Sequence, residues 1–256
     1  MLKNLMKKYF PGLYSSQTYL AFGVEPSRTQ YPLDKARYLM MARYLHEESV
    51  RLGRPLKVLD IGCSEGMMLL YCRKNGTPVR FFGIDILEER KKIALERGYE
   101  SVLLKDLRQC DFREFHQKFD AVVCSHIIEH LEDPGEFLRR LKAALEPKAL
   151  LLVGVPIGLW PGILWRRHIT PRINPWQKKE AVLKRFGHVS FFTLPDLKRV
   201  LLQSGFQAEE CRGDFLIRAR GFFLENYKWW FDFNQWYGRL LPGVLGHVTV
   251  RARLLA

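Results

Sequence analysis

Val58-Leu59-Asp60-Ile61-Gly62-Cys63-Ser64-Glu65-Gly66 is the stretch that decides the fold. An apolar run ends in an acid and passes into a glycine-bearing turn that opens a helix. In open α/β sheets a ligand sits at such a strand end, and glycine lets the backbone come close to it without a Cβ in the way. The dinucleotide spacing GxGxxG is absent, because Ser64 replaces the second glycine and Met67 the third. The phosphate-cradling GxxxxGK[ST] is absent too. A turn with no phosphate motif, preceded by an acid, suits a ligand with an adenosyl group and an ammonium but no phosphates.

Outward from this turn, apolar runs alternate with helical stretches. Strands are expected over Lys57–Ile61, Val79–Ile84, Ser101–Leu104, Phe119–Cys124 and Leu150–Val155, with helices over Met67–Lys74, Glu88–Arg97 and Pro134–Leu145 between them. A helical pattern also covers Leu33 to Leu52, after an irregular lead-in over 1–32. Alternation of this kind implies a parallel sheet covered on both faces. Asp133-Pro134-Gly135-Glu136 offers an N-cap, a proline at the first helical position and a glutamate three residues after the cap. Thr193-Leu194-Pro195-Asp196 is a second start signal before Leu197–Leu202, and Gly205 is the matching stop. The segments Phe206–Arg212 and His247–Arg253 read as closing strands.

Two further acids stand at strand ends. Asp85 closes the second strand, where a carboxylate accepts the ribose hydroxyls of a nucleoside as a bidentate pair. Asp106 follows the third strand and is placed to receive an adenine amino group. One acid at a strand end is weak information; Asp60, Asp85 and Asp106 at consecutive ends, with the glycine turn, point jointly to an adenosyl ligand.

With these residues in view, the segment from about 56 to 156 resembles the class I S-adenosylmethionine-dependent methyltransferases. It is similar to the branch acting on quinones, glycans and other small molecules, through Ile128-Glu129-His130-Leu131-Glu132-Asp133-Pro134-Gly135-Glu136-Phe137-Leu138, Leu145-Glu146-Pro147, Val153-Gly154-Val155-Pro156 and Gly187-His188-Val189-Ser190-Phe191-Phe192-Thr193. The resemblance implies a Rossmann-like α/β fold with a seven-stranded, mostly parallel sheet, helices on both faces and an antiparallel last strand. It implies S-adenosylmethionine as cofactor, its methionyl end at Asp60, Gly62, Ser64 and Gly66, its ribose at Asp85 and its adenine at Asp106. Ser64 and Glu65 stand where many members have glycine and a small residue.

For methyl transfer the protein must align the acceptor and, where the acceptor is a hydroxyl, remove a proton. The fourth strand ends in Cys124-Ser125-His126, beside where the methyl group is expected; Ser125 is assigned to the cofactor. His126 and His188 are the candidate general bases, since imidazole titrates near neutrality; His130 reads as a local packing residue. There is no [DNS]PP[YFW], which argues against the exocyclic amino groups of DNA bases as acceptors. No metal is expected. Some relatives carry one near this turn, but with an acid where this chain has His126, and the set to test for one is His126, Glu129, His130 and His188.

Composition bounds the partners. The net charge is +14 over 256 residues, which favours contact with something anionic. All six tryptophans lie beyond the fifth strand, in two stretches read as substrate-side insertions, 157–187 and 214–243, added to a cofactor-binding core over 56–156 and a lead-in and helix over 1–55 within one domain. The first carries Trp160, Trp165, Arg166, Arg167, Lys178 and Lys179, the second Tyr227, Trp229, Trp230, Phe233 and Trp236. Tryptophan and tyrosine beside arginine and lysine match a membrane interface; a lid over a buried pocket is the plainer alternative. Cys63, Cys72, Cys110, Cys124 and Cys211 are odd in number and lack CxxC spacing, as suits a reducing compartment. The start of the chain has no apolar core of a signal peptide. The charge-free stretch Ala149–Trp165 reads in its first half as a buried strand rather than a transmembrane helix.

The expected function is therefore O-methylation of a small or lipid-linked acceptor, such as a quinone precursor or a glycan, in the cytoplasm and in peripheral contact with the inner face of a membrane. RNA methylation, with strong salt dependence, and a non-catalytic, cofactor-binding assembly factor at a membrane are the alternatives; nucleic acid is the less expected partner.

Overall fold

The structure, a computed structural model, describes residues 31, 33–158, 189–215, 223–244 and 246–255. Its centre is a seven-stranded sheet of β1 (Leu56–Ile61), β2 (Val79–Asp85), β3 (Ser101–Leu104), β4 (Phe119–Ser125), β5 (Leu145–Ile157), β6 (Phe206–Phe215) and β7 (Gly246–Leu254), in the spatial order β3-β2-β1-β4-β5-β7-β6. β1 pairs in parallel with β2 and β4, β2 with β3, and β4 with β5. β7 runs antiparallel between β5 and β6. The Rossmann-like sheet with an antiparallel last strand is thus as expected. Because strand order reverses between β1 and β4, their carboxyl ends open the crevice where ligands bind in such sheets.

Successive side chains of a strand face opposite sides, so each central strand feeds two cores. Leu59, Ile61, Ile84, Val122, Cys124, Leu151 and Val153 face one side. They pack on Phe137, Leu138 and Leu141 of a helix over Pro134–Leu141 and on Leu197 and Leu201 of another over Leu194–Gln203. Leu56, Val58, Phe81, Ala121, Val123, Leu150 and Leu152 face the other, against helices over Ala36–Leu52 and Met67–Lys74. In chain order the described helices are α1 (Ala36–Leu52), α2 (Met67–Lys74), α3 (Glu88–Arg97), α4 (Pro134–Leu141), α5 (Leu194–Gln203) and α6 (Lys228–Leu240). Each fully buried leucine or phenylalanine in these layers contributes about 1.5–3 kcal/mol.

The cap signals hold. Asp133 accepts the Glu136 N–H at 2.8 Å and starts α4; Thr193 accepts the Asp196 N–H at 3.2 Å and starts α5. The helix expected to run to Leu145 instead tightens into a 3₁₀ turn at Lys142–Ala144. Leu145 is already in β5, paired with Phe119, so sheet pairing ends the helix early. β5 in turn extends past Val155 because β7 gives it a partner as far as Ile157.

α6 lies in the second aromatic stretch, where no helix was expected. Its Trp230, Asn234 and Gly238 recur every four residues on the buried face. At Gly238 the helix backbone comes so close to β6 that a Cβ there would lie 1.9 Å from the Gly213 carbonyl oxygen. Trp229, Phe233, Trp236 and Leu240 form the opposite, exposed stripe, with Trp229 57% and Trp236 58% accessible. Among the described residues no helix is long and apolar enough to cross a membrane.

Candidate active site

The turn after β1 is built on left-handed backbone. Gly62, Ser64 and Gly66 have φ of +67°, +48° and +74°. Glycine adopts this region freely, whereas a side chain there costs about 1–2 kcal/mol. Ser64 thus carries a backbone strain that a glycine at this place would relieve. The turn is held from β2: the Asp85 carboxylate accepts the Ser64 N–H at 2.8 Å on one oxygen, and those of Ile86 at 2.8 Å and Leu87 at 3.0 Å on the other. A carboxylate has about four acceptor positions, so Asp85 keeps about one for an incoming donor.

Asp60 is placed differently from the expectation that it touches the ligand. Its side chain lies on the α1–α2 side of the sheet, outside the cavity lining, and accepts the Tyr99 hydroxyl at 2.6 Å. Burial drives its carboxyl up to about 7, against the Tyr99 hydrogen bond and with help from the nearby Asp85 charge. Tyr99, which the sequence reading did not single out, also explains Gly66: a Cβ there would lie 2.8 Å from the Tyr99 ring. Glu65 turns to the Arg97 guanidinium at 3.6 Å and does not line the cavity.

At the strand ends lies a cavity of about 640 Å³, within the range of small-ligand pockets. It gathers Gly62, Asp85, Asp106, Ser125 and His126 from the expected set, with Ile86, Leu87, Leu104 and Leu107 as apolar walls. Ser64 and Gly66 shape the turn without lining the cavity. Asp106 sits at the rim with its carboxylate paired to Arg108 at 2.5 Å, so an adenine amino group would share that acceptor with a cation. Arg90, Lys105 and Arg108 also line this end. The Ser125 hydroxyl is buried without a hydrogen-bond partner.

His126 stands at the other end, in left-handed backbone with φ +58°, a strain more often met at functional positions. Its N–H donates to the Gly154 carbonyl at 2.7 Å and prolongs the β4–β5 ladder. Its Nδ1 lies 3.0 Å from a Glu129 carboxylate oxygen, so Nδ1 carries the hydrogen and Nε2 keeps a lone pair. Burial lowers the imidazole to about 4, the Glu129 hydrogen bond opposes that, and the nearby His247 and Arg37 add to it. Burial pushes Glu129 up, but the His126 contact outweighs it and the net direction is down. The result is a neutral imidazole on an ionised carboxylate. His130 lines the cavity next to His126. His188, the other candidate base, lies outside the described residues, as do 159–187 of the basic stretch. Among the described residues no group of three His, Cys, Asp or Glu could hold a metal ion.

A Rossmann-like sheet with a crevice at its switch point, lined by Asp85 from one side and His126 from the other, defines the class of fold. Residues 33–210 match the family model described as a methyltransferase domain, and the chain belongs to that family. A ubiquinone biosynthesis O-methyltransferase of Actinobacillus pleuropneumoniae serotype 7 (strain AP76) is 35% identical over 103 residues, 37% of this chain and 43% of that protein. The chain thus spans less than half the length of such curated relatives. The crystal structure of Burkholderia thailandensis 1,6-didemethyltoxoflavin-N1-methyltransferase, with 1,6-didemethyltoxoflavin and S-adenosylhomocysteine bound, superposes with a TM-score of 0.54 at 16% identity, covering 87% of this chain and 80% of that one. The [4+2]-cyclase SpnF superposes with a TM-score of 0.55 at 16% identity, covering 85% and 81%. At such identities the superpositions establish the fold, and the cyclase is a reminder that fold does not fix chemistry.

Proposed function

We propose that this protein binds S-adenosylmethionine in the strand-end cavity and catalyses methyl transfer to oxygen on a small or lipid-linked acceptor, a phenolic quinone precursor before a glycan. The observation that carries the reading is that Gly62, Asp85, Ser125 and His126 line one cavity. The residues fit the cofactor. Asp85 has an acceptor position left for a ribose hydroxyl, the leucine walls suit a flat base, and the buried Ser125 hydroxyl offers a polar contact near the methionyl end. When bound, S-adenosylmethionine supplies an electrophilic methyl group on a sulfonium.

The chain's own task is the acceptor proton. His126 Nε2 is the base, and Glu129 stabilises the imidazolium that forms, as in other histidine–carboxylate pairs. A histidine held near 4 is a weak base, so it favours a hydroxyl that is already acidic. A phenol or enol meets that condition; an alkyl alcohol does not. The relatives named as ubiquinone biosynthesis O-methyltransferases support transfer to oxygen on a quinone precursor. The exposed aromatic stripe of α6 supports delivery of that acceptor from a membrane surface, where tryptophan is favoured and nearby lysine and arginine meet anionic lipid.

His126→Gln tests the assignment. Turnover of a catechol-type acceptor is expected to fall roughly 10²–10⁴-fold, with S-adenosylmethionine affinity by calorimetry unchanged; undiminished turnover would remove His126 as the base. For the membrane, sedimentation with phosphatidylserine vesicles is expected for the wild type and to weaken in Trp229→Ala/Trp236→Ala and in Arg166→Ala/Arg167→Ala. Vesicle binding equal in all three proteins, or absent in the wild type, would refute it.

A further inference from the structure

Behind His126, on the side away from the cavity, lies a second imidazole that the function above does not use. His247 is the second residue of β7 and is 2% exposed. Its ring centroid is 4.6 Å from that of His126, at 35° between planes. Its Nδ1 is hydrogen-bonded to the Asp214 carboxylate, whose other oxygen accepts the Thr249 hydroxyl at 3.2 Å. Asp214 is 1% exposed and Thr249 fully buried. Gln235 of α6 donates its side-chain N–H to the Asp214 carbonyl at 3.0 Å. The His247 Nε2 is buried without a hydrogen-bond partner.

We propose that Asp214 and His247 form a buried positioning pair that fixes the ring plane and the neutral, Nδ1-protonated form of His126. The proposal rests on the reading of His126 as the acceptor base. Two imidazole–carboxylate pairs, His126–Glu129 and His247–Asp214, lie side by side with their rings tilted against one another. Asp214 accepts and cannot donate while ionised, so it sets the hydrogen on His247 Nδ1. The His247 ring is also one of the groups that, after burial, hold the His126 imidazole down. The ring contact thus works with burial to leave His126 Nε2 free for the acceptor.

The surroundings of both rings bear on this. His126 faces Glu129 from its own turn, His247 from β7 and Arg37 from α1; His247 faces Asp214 from β6 and His126 from the turn after β4. Gly154, whose carbonyl accepts the His126 N–H, is part of the arrangement: a Cβ there would lie 2.9 Å from Met41 Cε, 3.0 Å from His247 Cε1 and 3.3 Å from the Ser125 hydroxyl, so a side chain would press on the second ring. A role in packing alone is a poor account of the pair. β6 and β7 are already joined by their backbone ladder, and a buried ionic pair is seldom more stabilising than apolar residues of the same size.

The test reads His126 directly in the free protein, through ¹⁵N-labelled imidazole NMR spectra across a pH titration. In the wild type His126 is expected to show the Nδ1-protonated neutral form. In His247→Gln the ring that helps hold His126 down is removed, and in Asp214→Asn that ring loses its carboxylate anchor; in both the His126 midpoint is expected to rise by roughly one pH unit, a tenfold gain in proton affinity, with the melt still cooperative. Thr249→Val removes only the hydroxyl contact to Asp214. It serves if the first two variants fail to fold, and a smaller rise is expected. An unchanged His126 midpoint and tautomer in the folded variants would overturn the proposal. The outcome is separable from the base assignment: if His126→Gln keeps full turnover while the midpoint still answers to His247, the assignment fails and the positioning stands.

Discussion

Replacing Asp85 by asparagine changes one atom of the side chain and sets two readings of the site against measurement. The carboxylate accepts three backbone N–H groups, one from Ser64 on one oxygen and two from Ile86 and Leu87 on the other. An asparagine has one accepting atom. Its better orientation keeps the oxygen on Ile86 and Leu87 and turns the amide N–H₂ against the Ser64 N–H, donor to donor. A hydrogen bond to a charged group contributes about 1.5–3 kcal/mol, and a buried donor left unpaired costs a similar amount. Asp85 is 6% exposed, so water reaches the mismatch poorly, and a loss of about 3 kcal/mol is expected. For a chain of this size that lowers Tm by roughly 6–12 °C. The lost ribose contact should weaken S-adenosylmethionine by about 10–150-fold. Asp85→Ala is expected to lose as much affinity with less damage to folding, because it brings no opposing amide and opens room for cavity water at the three N–H groups. Calorimetric titration and thermal denaturation of the three proteins decide it. Wild-type Tm in the asparagine variant would refute the three-donor cradle, and affinity within threefold of wild type would refute the ribose assignment.

Three further expectations follow from the packing and the charges. His126 is neutral in the fold down to about 4 but titrates near 6.5 in an unfolded chain. Between those values the unfolded chain binds a proton that the fold does not, so stability falls as pH drops through that window. After discounting for a ring 31% exposed, denaturant unfolding at pH 7 and pH 5 should differ by about 1 kcal/mol more in the wild type than in His126→Gln; equal pH dependence would contradict it. Asp60, raised to about 7, works with the opposite sign, losing stability as pH rises, and cancels in that comparison because both proteins keep it. Tyr99→Phe removes the hydroxyl on which the buried Asp60 carboxyl depends and should cost about 1–3 kcal/mol; in an Asp60→Ala background the same substitution should cost little, and an undiminished cost there would show the two do not act together. Gly238→Ala gains about 1 kcal/mol of helix propensity yet drives a Cβ into the Gly213 carbonyl, so Tm should fall, and a rise would show that α6 does not sit so close to β6.

Much of the fold was legible because its signals are local. Apolar runs alternating with helical stretches placed β1 to β4, α2 and α3 within a residue, and Asp133 and Thr193 marked helix starts through bonds to residues three positions away. The site was legible where a strand end and its turn are contiguous, as at Gly62 and His126. It was obscure where partners come from afar. Asp60 reads as a ligand group because it ends a strand, but the pairing that turns it inward comes from Tyr99, 39 positions on. α6 was hidden by its own composition, since seven aromatic or apolar residues in thirteen blur the difference between its buried and exposed faces. His247 and Asp214 meet only through the antiparallel register of β6 and β7. The signal available for them was a histidine and a threonine alternating with valines at the start of a mostly buried strand.

That register has a consequence for how the enzyme comes into being. The strands carrying the nucleotide end, β1 to β4, are made first and are adjacent in the chain, and the β6–β7 pair arrives last yet inserts β7 beside β5. Domains emerge from the ribosome N-terminal part first. A nascent chain can thus hold a formed turn after β1 while His126 still lacks its β7 neighbour, and the surroundings of that histidine are complete only when the β6–β7 pair docks.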